Sequence, residues 1–181
     1  FARHDFYVFV NQDFASRIRG GHNFDQVRIS DNPVAAVAEK VQILIALDKE
    51  TTRRDIEYLA GDGVLLFDGD TINFTSDDPN HLYIPFTRIA TEAGKSKIMI
   101  NSVATGAAIA LMGFELQPVL DGLQEQFQQK GAETVANNQR SATAGYDFVR
   151  QSLKKKTSLQ SSAGKSGSSK DTAHRQPGPG P

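Results

Sequence analysis

A layered α/β domain on a mostly parallel sheet is the fold class that this 181-residue sequence predicts. Three observations carry the prediction. Val41–Leu47 and Val64–Phe67 are short, nearly continuous apolar runs, as strands of a sheet covered on both faces are. The stretch between them, 49–59, is polar with apolar residues at helical spacing, which makes a βαβ unit of ordinary size. From Phe86 onward the chain reads as successive helices, so helices and sheet must share one core.

The elements follow in order. Phe6-Tyr7-Val8-Phe9-Val10 is aromatic and β-branched and predicts a strand. Residues 24–29 alternate apolar with polar and predict a half-exposed strand, closed by a turn at Asn32-Pro33. Val41–Leu47 is expected as a central strand. Asp48 ends it as the N-cap of the next helix. Gly61-Asp62-Gly63 is expected to break the chain before Val64–Phe67. A polar connection, 68–80, leads to Leu82-Tyr83-Ile84-Pro85, where proline demands a sheet edge or a strand end. Phe86–Ala93 predicts a helix stopped at Gly94, and 98–112 a helix of small residues closed by Gly113. Leu116, Val119, Leu120, Leu123 and Phe127 form one stripe of a further helix that ends at Lys130-Gly131. A last helix, 133–150, is expected to be interrupted at Gly145.

Composition excludes several classes. No apolar run approaches the roughly 18 residues that span a bilayer. Without cysteine there is no disulfide framework, thiolate metal site or Cys nucleophile, and a reducing, cytoplasmic setting is the expectation. The start, Phe1-Ala2-Arg3-His4, has no signal-peptide pattern and no Met, and reads as the start of a fragment. Residues 153–181 hold six Lys and Arg against Asp171 alone, a charge of +5, which leaves −6 on 1–152. That segment is mainly Ser, Gly, Lys, Gln and Pro with no aromatic residue, and is expected to be a disordered basic tail following a 1–152 domain. Its charges are diluted and lack stacking partners, which argues against a nucleic-acid arm.

The most distinctive stretch is Ser16-Arg17-Ile18-Arg19-Gly20-Gly21-His22-Asn23. The glycines permit close backbone approach, and the two guanidinium forks suit phosphate or carboxylate. A tight turn with surface arginines is the plainer reading. His4, His81 and His174 stand alone, and no second ligand lies at metal spacing from His22. Asp68 ends a buried strand where α/β folds place binding groups, although a turn or cap role is the plainer reading. Asn101, Ser102 and Thr105 suit an anion, a partner backbone or simple packing. No G-x-G-x-x-G, P-loop, nucleophile elbow or catalytic triad is present, and no catalytic residue is assigned.

Ser16–Asn23 running into Gln26–Pro33 resembles the gamma domain of 2-oxoacid:ferredoxin (acceptor) oxidoreductases, above all the form fused to the front of the alpha subunit in 2-oxoglutarate enzymes. Leu44–Asp48, Gly63–Asp68, Ile84-Pro85-Phe86, Asn101–Ala107 and Gly145-Tyr146-Asp147 continue the resemblance in one order over residues 6–150. It implies a Rossmann-like module that lacks its opening Gly-rich strand-turn-helix. It also implies a complete enzyme that uses thiamine diphosphate and iron–sulfur clusters, decarboxylates a 2-oxoacid oxidatively, passes electrons to ferredoxin and forms an acyl-coenzyme A. Alpha and beta parts are the implied partners, with no nucleic acid and no membrane. The 16–23 loop, with Arg17, Arg19, Gly20, Gly21 and His22, then either contacts coenzyme A or fixes a subunit interface. The alternative is a non-catalytic assembly module of that complex. In either case no turnover is expected from this chain alone, and an uncovered sheet edge is expected to make it self-associate or borrow a partner's surface.

Overall fold

The computed structural model describes residues 1–2, 5–13 and 23–165. The first two strands, β1 (Tyr7–Asp13) and β2 (Phe24–Ser30), form an antiparallel ribbon, from Tyr7 opposite Ser30 to Asp13 opposite Phe24. Directly opposed residues share a face. One face carries Val8 with Ile29, Val10 with Val27, and Gln12 with Asp25, where the Gln12 amide donates to the carboxylate at 2.8 Å. On the other, Gln26 and Arg28 donate to the carbonyls of Ala38 and Ala36 at 2.7 and 3.1 Å and bind the following segment. At the root of the ribbon the rings of Phe1, Phe6 and Phe114 pack edge to face, with centroids 5.2–6.0 Å apart.

The body is a parallel three-stranded sheet in the order β3 (Val41–Ala46), β4 (Leu59–Phe67), β5 (His81–Tyr83). As the sequence predicts, Asp48 caps the helix after β3, α1 (Lys49–Arg54), accepting from the Thr51 amide at 2.9 Å. After β5 come α2 (Phe86–Gly94), α3 (Ile100–Leu111), α4 (Gln117–Phe127) and α5 (Ala132–Lys165). Strand alternation separates two apolar clusters. Leu66 joins Ile84, Phe86, Ile89, Val103, Ala107 and Val149 in the main core beneath the helices. Leu65 and Phe67 point the other way, to Ala46 and Ile72, with Phe74 beside them.

Several boundaries differ from the sequence reading. β3 is an edge strand, not a central one, because β4 alone pairs with it among the described residues. Gly61-Asp62-Gly63 does not break the chain. It lies inside β4, where the pairing shifts from Val41–Leu59 to Ile43–Val64 and absorbs the extra residues as a bulge. Gly94 is the last residue of α2, and the left-handed stop is Lys95, at φ 62°. α5 runs through Gly145 without interruption, past residue 152 and on to Lys165; the rest of the expected tail lies outside the described residues.

Gly145 is a contact glycine. A Cβ there would lie 2.2 Å from the Val103 carbonyl oxygen, and one on Gly106 only 1.9 Å from that of Ala142. α3 and α5 thus meet backbone to backbone, twice. Gly106→Ala or Gly145→Ala is expected to lower stability by about 2–3 kcal/mol, the cost of overpacking outweighing the gain in helix propensity. Gly122→Ala in α4, where an added Cβ meets nothing within 4 Å, should raise it by about 0.5–1 kcal/mol. Urea denaturation midpoints of the three variants test the contrast.

Candidate functional site

The sequence places its candidate residues in the connection between β1 and β2. The seven paired residues of each strand make the ribbon about 20 Å long. Ser16, Arg17, Arg19, Gly20, Gly21 and His22 lie outside the described residues, as does His4. Asn23 is described and is exposed just before β2. The ribbon that bears the loop keeps apolar side chains in solvent: Val10 and Val27, directly opposite one another, are 50 % and 53 % exposed. Tyr7 and Phe24 are exposed as well.

A second group forms where β4 and β5 end. Asp68 is fully buried, and its role is the structural one of the two readings. One carboxylate oxygen accepts from the backbone amide and the hydroxyl of Thr87, at 3.0 and 2.5 Å, in the first turn of α2. The other accepts from the Asp70 amide at 3.3 Å. The side chain therefore ties the end of β4 to the start of α2. Outside it, exposed, the Tyr83 hydroxyl donates to Asp70 at 2.6 Å, and Arg88 reaches both the phenol oxygen (3.3 Å) and the Asp70 carboxylate (3.5 Å). The hydrogen bond to Asp70 holds the Tyr83 pKa above its ordinary value, with burial and the Asp70 charge adding to it and Arg88 opposing. Sequence reasoning singled out Asp68 and missed Asp70, Tyr83, Thr87 and Arg88, since nothing in their spacing announces that the carboxyl ends of two strands bring them together.

The remaining candidates serve packing. Ser102 is buried and donates to Asn138 at 2.6 Å, and Asn138 donates on to the Thr134 carbonyl. Thr105 bonds back to the Asn101 carbonyl one turn earlier. His81 lies with its ring 5.8 Å from that of Phe74 and its Nε2 3.7 Å from Asp78. An open groove of about 450 Å³ runs beside α5, where Arg140 donates to the Ala93 carbonyl and to Asn137. Among the described residues no three acidic or histidine side chains are grouped to hold a metal ion. Nor is any described helix long and apolar enough to cross a membrane.

The family model for pyruvate ferredoxin/flavodoxin oxidoreductase matches residues 1–148. The chain belongs to this oxidoreductase family. A curated relative, the 2-oxoglutarate synthase subunit KorC of Methanocaldococcus jannaschii, is 33 % identical over 104 residues, 55 % of this chain and 56 % of that subunit. A 2-oxoacid:ferredoxin oxidoreductase alpha subunit from a Sulfolobus species is 37 % identical over 46 residues, 25 % of this chain. The chain thus spans 56 % of the first of these relatives and 7 % of the second. Among solved structures, the 2-oxoglutarate:ferredoxin oxidoreductase of Magnetococcus marinus, described with 2-oxoglutarate, coenzyme A and succinyl-CoA bound, matches with a TM-score of 0.73 and 23 % identity, over 83 % of this chain and 27 % of that one. The gamma subunit of a keto/oxoacid ferredoxin oxidoreductase from Geobacter sulfurreducens matches with a TM-score of 0.67 and 21 % identity, over 82 % and 83 % of the two chains. The resemblance drawn from the ordered motifs is borne out, and the fold is that of the gamma part of these oxidoreductases.

The Asp70–Tyr83 pair makes a measurable prediction. A phenol whose folded pKa is raised keeps its stabilising proton below the unfolded value near 10 and loses it as pH climbs through the higher, folded value. Asp70→Asn removes the carboxylate acceptor and its charge, so the Tyr83 pKa should fall back toward the ordinary value. The ultraviolet titration of phenolate, taken as a difference against Tyr83→Phe, measures it.

Proposed function

We propose that the chain acts as the gamma part of a 2-oxoacid:ferredoxin oxidoreductase working on 2-oxoglutarate or a related acid, in a complex that forms acyl-coenzyme A and carbon dioxide. The observation that carries this reading is the family match over residues 1–148, joined to relatives whose names specify 2-oxoglutarate. Thiamine diphosphate and iron–sulfur clusters belong, on this reading, to the complete enzyme. This chain has no cysteine thiolate to offer a cluster. The alpha and beta parts are the partners, ferredoxin is met through the complex, and the setting is cytoplasmic.

Within that assembly the β1–β2 ribbon is the contributing element. Its two strands flank the Ser16–Asn23 stretch in sequence, and it keeps Val10 and Val27 uncovered along its length. Arg17 and Arg19 at such a position are suited to the phosphates of coenzyme A or to carboxylates of a partner chain. The exposed valines favour a role in assembly beside any role in ligand binding.

Two measurements test the reading. The chain alone, given thiamine diphosphate, 2-oxoglutarate, coenzyme A and ferredoxin, should reduce no ferredoxin; turnover would overturn the assignment of the chemistry to partner chains. Calorimetric titration of coenzyme A into the chain, beside an Arg17→Ala, Arg19→Ala double variant, tests the loop. Saturable binding lost in the variant places coenzyme A at the loop, whereas no binding to the folded chain leaves it an interface element.

A further inference from the structure

We propose that Asp70, Tyr83 and Arg88, where β4 and β5 end, bind the purine ring of a nucleotide, with the base on the Tyr83 ring and its edge on the Asp70–Arg88 pair. This site is independent of the family reading.

The three side chains come from three segments and meet at one place. Asp70 stands two residues past the buried Asp68, Tyr83 ends β5, and Arg88 lies in the first turn of α2. Open α/β sheets carry their ligands outside the carboxyl ends of their parallel strands. Gly69 makes the arrangement possible. A Cβ there would collide with the Tyr83 ring, so the ring rests directly on the backbone between the two aspartates. Phe67 meets the same ring edge to face, with centroids 6.4 Å apart. Even with this support Tyr83 is 43 % exposed. Its hydroxyl donates to Asp70 at 2.6 Å and accepts from Arg88 at 3.3 Å, so the ring is fixed before anything binds and little freedom is lost on binding.

Elimination sets the chemistry of the ligand. The Arg88 guanidinium repels a metal cation, and the Asp70 carboxylate, 3.5 Å from it, repels a simple anion. The paired charges instead suit a neutral group that sets an acceptor beside a donor. Arg88 has five N–H donors, and its bonds to Tyr83 and Asp70 engage two of them. Asp70 accepts from the same two partners and retains lone pairs for a third. A purine carries the complementary pair on one edge: N7 beside the exocyclic amine in adenine, O6 beside N1–H in guanine. Every base has a face that stacks on an aromatic ring, and the two fused rings of a purine cover more of Tyr83 than one ring can.

Saturation-transfer NMR of AMP with the full chain should show transfer to the adenine H2 and H8 protons and a saturable titration. CMP should bind at least about fivefold more weakly. Tyr83→Leu should abolish the transfer, and Asp70→Asn should weaken binding about tenfold. Tyr83→Phe keeps the ring and should stay within about threefold of the parent. Coenzyme A that binds through the same residues more tightly than AMP gives the site to the adenosine end of that coenzyme, and equal affinity gives it to a free nucleotide. No saturable binding of AMP or GMP to the folded chain overturns the proposal. So does equal binding of CMP, and so does binding that survives both Tyr83→Leu and Asp70→Asn.

Discussion

Two helices can bring their backbones into contact only where no side chain stands between them, and the body of this protein depends on one such approach. Gly106 on α3 lies against the Ala142 backbone of α5, and Gly145 on α5 lies against the Val103 carbonyl of α3. A helix as rich in alanine and glycine as α3 buries little area per residue, so proximity has to supply what side-chain size does not. Close approach lets Val103, Ala104 and Ala107 share one core with Val149 of α5 and with Leu66 and Ile84 of the sheet side. The buried bond from Ser102 to Asn138, one helical turn before Gly106, sets the relative position of the two helices. That pair is satisfied internally, since Asn138 donates on to Thr134, and so it specifies the packing without leaving an orphaned polar group.

Asp68 is the counterpart of that contact on the sheet side. Its backbone amide bonds β3, its backbone carbonyl closes the turn to Thr71 and Ile72, and its carboxylate binds the first turn of α2. A buried carboxylate with three donors around it is far less costly than an unpaired one. The same geometry explains why a strand-end aspartate that looked available for a ligand is instead committed to the fold. The exposed chemistry at this end of the sheet passes to Asp70, Tyr83 and Arg88, one layer further out.

Much of this architecture was legible in the order of residues. The apolar runs, the Asp48 cap, the strand end before Pro85 and the closing glycines at 113 and 131 each follow from local chemistry, and each lies where that chemistry requires. The misreadings share a cause: they depend on what lies across the chain. Gly145 looks like a helix breaker until Val103 is seen against it, and Gly61-Asp62-Gly63 looks like a break until β3 is seen to hold the strand on both sides of the bulge. Whether β3 is central or an edge is a property of its neighbours, and its own residues would read the same in either place. Asp70, Tyr83 and Arg88 were illegible for the same reason, being separated in sequence and joined only where two parallel strands end together.

The ribbon raises a different question, because a two-stranded ribbon in water is marginal by itself. Its base is secured by Phe1, Phe6 and Phe114, and one face is bound by Gln26 and Arg28 to the carbonyls of Ala38 and Ala36. On the opposite face Gln12 bonds Asp25 near the tip, and Val10 and Val27 stand half in water. Stabilisation is thus drawn from the body at one end and along one side, while the apolar pair on the other side contributes little until something covers it. β-branched residues at exposed, directly opposed positions keep the strands extended by local preference and leave an apolar surface ready for contact. A ribbon organised in this way gains most from a neighbouring surface along its uncovered face.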